Sequence, residues 1–120
     1  MPARSYSGPG RMGITRSRAQ ALLIGIIIYK DEFGSYPIGI NAVVTKSLRG
    51  ENLKHKMFAN FDGRSPQAIN QSGQCVDGWG TPFQIDLSAT NSPVIRSAGR
   101  DKIFGNKNDI GFDKNSFVKP

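Results

Sequence analysis

The chain has 120 residues, 38% of them apolar, with 14 glycines, one cysteine, one histidine and a net charge of +7. That length supports one domain with a single modest core. The lone Cys75 excludes an intrachain disulfide, and the lone His55 excludes a zinc site built from several His or Cys ligands. The charge is concentrated: Arg4, Arg11, Arg16 and Arg18 precede any acid, and removing these four from +7 leaves +3, a weak case for nucleic acid.

Residues 1–14 are rich in Ser, Gly and Pro and hold no apolar leader core. They read as linker or as expression residue, outside a folded unit that covers residues 15–120. From Thr15 the pattern turns helical. Leu22, Ile26, Tyr29 and Phe33 fall at i, i+4, i+7 and i+11, and Leu23 and Ile27 widen the stripe. Ile24 and Ile28 stand where a polar face would be, so a helix over about 15–34 is apolar nearly all round and expects burial on more than one side. Its β-branched run 26–28 leaves a buried strand as the alternative. Gly34 is placed to end the helix, and Pro37 to prevent its resumption. The longest apolar run, residues 21–29, is about half of what a bilayer requires.

A shorter helix is expected over 41–49, with Asn41 as its cap, Val43, Val44 and Leu48 as its apolar side, and Gly50 at its end. Periodicity then disappears over 51–74, where Met57, Phe58 and Phe61 are the expected anchors; the whole stretch 38–76 reads as variable. In PFQIDL, Phe83, Ile85 and Leu87 alternate with Gln84 and Asp86. SATNS follows as a turn, and PVIRS as a second strand, giving an antiparallel hairpin. After a Gly/Asn/Asp loop, Ile110 and Phe112 are placed to rejoin the sheet, which with that loop spans 77–113. The class is α+β: a long N-terminal helix packed on a small antiparallel sheet.

Three stretches occur in order: YKDEFGSYP (29–37), DGWGTPF (77–83) and SAGRDKIFGNKNDI (97–110). Together they resemble the major pseudopilins of bacterial type II secretion systems and their type IV pilin-like relatives. That family ends its helix at a Tyr with a Gly-x-Tyr-Pro turn. It enters its sheet through Asp-x-Trp-Gly-x-Pro-aromatic and closes on Ser-x-Gly-x-Asp, a glycine and an Asp-Asp-Ile pair. The likeness spans about 15–112, with a gap at 51–74. The family's leader, its Gly-Phe-type processing site and its membrane-length helix have no counterpart here. Asn108 stands where the family usually has Asp, and Asn106 where it often has a second Gly. The resemblance implies a pilin-like fold whose helix once continued upstream of Thr15.

The closing loop is not an EF-hand, which needs alternating ligands and a Glu at the twelfth position, nor a P-loop, because five residues separate Gly99 from Gly105. By its chemistry alone it reads as a polar surface loop with its own Asx turns, and Lys102 and Lys107 oppose a cation. The resemblance implies otherwise: one structural calcium, held by the side chains of Asp101, Asn108 and Asp109 and by the main-chain carbonyls of Ala98 and Ile103. Asn108 in place of a carboxylate would weaken that site, since affinity follows ligand charge.

The remaining candidates have plainer readings. Trp79 between glycines is expected as a core plug, and Tyr29 and Tyr36 as packing at the helix end. Asp31 and Glu32 point apart and form a solvated edge. His55 with Cys75 could pair as base and nucleophile, but no signature surrounds them. Arg16, Arg18 and Lys30 make a modest basic side, and Asn70 starts an Asn-Gln-Ser acceptor pattern. No catalytic constellation emerges, so an enzyme is not expected. The resemblance implies a structural filament subunit of type II secretion. Its partners would be other pseudopilins and inner-membrane components of the secretion system. Its location would be periplasmic, anchored through an upstream helix. The alternative is a DNA-uptake type of pilin module that uses the basic residues.

Overall fold

The computed structural model describes residues 10–61, 68–87 and 93–117. Helix α1 (Arg11–Phe33) is followed by the two-turn helix α2 (Asn41–Leu48), then strands β1 (Gln84–Asp86), β2 (Val94–Ser97) and β3 (Ile110–Phe112), and a final 3₁₀ turn, Lys114–Phe117. The three strands form an antiparallel meander in the order β1-β2-β3. Ile95 pairs with Ile85 on one side and Phe112 on the other. The class is therefore α+β, with a long helix, a short helix and a three-stranded antiparallel sheet.

The period-3.6 stripe places α1 on the sheet. Ala19, Leu22, Leu23 and Ile26 are buried and share a core with Val44 and Leu48 of α2 and with Phe83, Ile95 and Phe112. Alternation on the strands turns Ile95 and Phe112 inward and leaves Arg96 and Gly111 exposed. The opposite side of α1 stays open: Ile24 and Ile28 are 46% and 44% exposed. The nearly all-round apolar character of this helix is thus matched by burial on one side only. Gly34 closes it in the left-handed conformation, its N–H donating to Lys30 O at 2.7 Å. No helix among the described residues is long and apolar enough to cross a membrane.

Four expectations are corrected. The helix starts at Arg11 rather than near 15, and its first turn is held: the buried Thr15 hydroxyl donates to Arg11 O at 2.7 Å and accepts from Gly78 N at 2.8 Å. Gly78 permits this approach, because a Cβ there would collide with the Arg11 carbonyl. Residues 11–14 therefore belong to the fold; residues 1–9 lie outside the described part. Asn41 is the first residue of α2 rather than its cap, a position taken by Ile40. Met57 is 57% exposed, and Ala59 takes its expected place beside Phe58 and Phe61. Trp79 is only partly buried and is not among the core residues. The turn expected at 88–92 lies outside the described residues.

Candidate functional site

Two polar clusters dominate the sheet end of the molecule. The first is interior. Asn41 uses the full capacity of its amide: Nδ2 donates to Phe83 O at 2.7 Å and Cys75 O at 3.1 Å, while Oδ1 accepts from Cys75 N and Thr45 Oγ1, both at 2.9 Å. Asp77, 1% exposed, accepts from Trp79 N and Thr81 N on one oxygen and from Ser97 Oγ at 2.6 Å on the other. Arg18 donates to the carbonyls of Val76 and Asp77, each at 3.2 Å. These bonds pin α1, α2 and β2 to residues 75–83, leaving buried polar groups paired as the interior requires.

The second cluster is the loop between β2 and β3. Ser97 Oγ, already bonded to Asp77, accepts from Gly99 N, so the loop starts on the interior network. Gly99 adopts φ +82° and lies so close to Asn108 that a Cβ would strike the Asn108 carbonyl. This closure brings the two ends of the loop together. Asp101 Oδ1 accepts from Ile103 N at 3.1 Å, and its Oδ2 accepts from Asn106 Nδ2 at 2.8 Å and Asn108 Nδ2 at 2.9 Å. The Asn108 amide, then the Ile103 N–H, hold the Asp101 carboxyl below its ordinary pKa, with Asn106 adding to them against partial desolvation.

Of the sequence-designated ligands, the loop brings Asp101, Asn108 and Ile103 together, with the Asn108 amide nitrogen turned to the carboxylate. Asp101 and Asn108 touch. The Ile103 carbonyl accepts from Asn106 Nδ2 at 3.2 Å, beside the Asp101 carboxylate. Ala98 is fully buried where the chain leaves β2. Asp109 Oδ2 accepts from Gly105 N at 2.7 Å. Asp109 Oδ1 is sealed from solvent and has no hydrogen-bond partner, the one such side-chain atom among the described residues. Asp109 as a whole is half-buried, and an oxygen without a donor leaves its carboxylate incompletely satisfied.

The loop carries two carboxylates, an amide and main-chain carbonyls, groups whose oxygens are of the kind hard cations take, although the Asn108 amide here turns its nitrogen to Asp101. No group of three or more His, Cys, Asp or Glu side chains gathers among the described residues. A cation here would rely on neutral oxygens for much of its shell, which lowers affinity. Asn106 had no assigned role in the sequence reading, yet it touches Asp101, Ile103 and Asn108. Its position between the two designated side chains was the available signal.

The other candidates separate. Cys75 is fully buried, and desolvation pushes its thiol up to about 12, so it is no nucleophile at neutral pH. His55 lies on an exposed loop whose backbone is tied by Asn52. Glu32 bridges Lys54 at 2.7 Å and Lys56 at 3.1 Å, and those hydrogen bonds lower its pKa. The basic side of α1 divides: Arg18 binds the interior carbonyls already described, whereas Arg16 and Lys30 are exposed, the one donating to Ser116 O and the other lying over the Tyr36 ring. Asn70 is folded into a turn, accepting from Ser72 N and Gln74 N.

Comparisons with protein-family models, with curated proteins and with solved structures returned no significant match to the chain.

Proposed function

We propose that this chain is the folded outer part of a pilin-like filament subunit, most similar to the major pseudopilins of type II secretion. The observation that carries the reading is one arrangement. A 23-residue helix packs on a small antiparallel meander, and the loop before the last strand gathers Asp101, Asn108 and Ile103, while Asp109 accepts from Gly105 N of the same loop. That is the order of elements and donors which the three sequence stretches imply. The function is assembly rather than catalysis. The open side of α1, marked by Ile24 and Ile28, packs against neighbouring helices, because exposed aliphatic stripes on a helix favour apolar partners.

In this reading one calcium ion is held by Asp101, Asn108 and Asp109, with the carbonyls of Ala98 and Ile103. It supplies positive charge to the sealed Asp109 oxygen. It also ties down a loop with too little apolar surface to hold itself, presenting a fixed face to the next subunit. The domain works in the periplasm, anchored by a helix upstream, in a filament whose extension drives secretion. The test is assembly. The chain is fused to a membrane-spanning pilin segment and expressed with the other pseudopilins of a type II system. Incorporation into filaments is expected. A stable, membrane-inserted protein that never enters filaments contradicts the proposal.

A further inference from the structure

We infer that Asn106 competes with the cation for the closing loop, which thus carries its own substitute for the ion. This rests on the calcium reading above. Two of the oxygens which that reading assigns to the ion are Asp101 Oδ2 and Ile103 O. Both lie within hydrogen-bond distance of a single nitrogen, Asn106 Nδ2, at 2.8 and 3.2 Å. The amide places a positive NH₂ group where these oxygens converge, and it does weakly what an ion does strongly. Asn106 is not an added ligand in this arrangement, because its oxygen is engaged: Oδ1 accepts from Asn108 N at 2.8 Å. Turning that oxygen inward would break the turn that sets Asn108 in place.

The clasp is also incomplete. It serves Asp101 and Ile103 but gives no donor to Asp109 Oδ1, which has none of its own; in the calcium reading the ion supplies that charge and displaces the clasp. Two consequences follow from one residue. The loop keeps its closure when calcium is low, and calcium binds more weakly than the same oxygens would otherwise allow.

The test uses Asn106→Ser, whose hydroxyl can still accept from Asn108 N but cannot reach Asp101, and Asn106→Ala as a second variant. Chelator-treated wild type and variants are titrated with calcium chloride by calorimetry, and hydrogen exchange is followed at the Ile103, Gly105 and Asn108 amides. Losing this exposed hydrogen bond should tighten calcium binding roughly three- to tenfold in Asn106→Ser, and less in Asn106→Ala, which also loses the contact that sets Asn108 in place. Exchange in chelator should quicken and return to the wild-type rate in calcium. Wild type binding calcium while the variants bind it equally or more weakly overturns the inference and leaves the calcium reading standing. Failure of all three proteins to bind calcium overturns both.

Discussion

Residues 75–83 turn their polar partners into the protein, whereas residues 99–109 turn theirs on one another at the surface. Both segments are short, contain two glycines each, and are anchored by carboxylates that accept backbone N–H groups. In the first, Asn41 and Asp77 are buried, and beside the local turn that Asp77 holds, their contacts tie the segment to α2 and β2. In the second, Asp101, Asn106 and Asn108 are bonded within one loop that is partly or fully exposed. The difference lies in the alternative to each bond. Inside, a lost partner leaves an unsatisfied polar group; at the surface, water replaces it. The interior segment is thus a fixed part of the fold, and the outer loop is the part proposed to respond to an ion.

The contrast is most severely tested at Asn41. Asn41→Ala orphans Cys75 N and Phe83 O in the core, while Cys75 O keeps the Phe83 N–H, and at about 1–3 kcal/mol for each unsatisfied group the loss should reach about 2–5 kcal/mol. Urea unfolding measures it. Labelling of the buried Cys75 thiol gives a second reading, since its rate should rise in step with the loss of stability. Asp77→Ala removes three acceptor contacts and should cost about 3 kcal/mol in the same assay. A result close to zero for either variant would remove the distinction between the two segments.

On the outer loop the effects should be smaller and conditional. Asp101→Ala should lower the melting temperature by several degrees in millimolar calcium and change it little in chelator. Equal losses in both conditions would argue for a purely structural role. The smallest effect belongs to the surface carboxylates. Asp101 and Glu32 are both held below their ordinary pKa values. Their stabilising contribution is therefore present above the usual carboxylate pKa and fades as pH falls below about 4. Because both are exposed, Glu32→Gln should barely move the melt at neutral pH, and the acid limb of a pH–stability curve should show only a slight change.

The helix and strands were legible in the sequence because each buries one face. Leu22, Ile26 and Phe33 recur with helical period, and Phe83, Ile85 and Leu87 with strand period, so local spacing predicts burial. Asn41 was not legible. An Asn at a helix start favours a cap by local propensity, and its actual partners lie 34 and 42 residues away. Met57 and Ala59 exchanged roles because a segment without periodicity does not reveal which side chain faces inward. Arg16 and Arg18 looked like a basic surface, since nothing local announces the carbonyls that bind them. In the closing loop the motif pointed to Asp101 and Asn108 as ligands of an ion, and the structure shows the Asn108 amide donating to Asp101. The place of Asn106 did not follow from the motif, because an amide serves as donor or acceptor according to its surroundings.

The most direct measurement is anomalous diffraction from crystals grown in calcium. The account predicts a single peak enclosed by the side chains of Asp101, Asn108 and Asp109 and the carbonyls of Ala98 and Ile103, with the Asn106 amide displaced from Asp101. A loop without that peak, in which Asn106 and Asn108 still donate to Asp101, would contradict it.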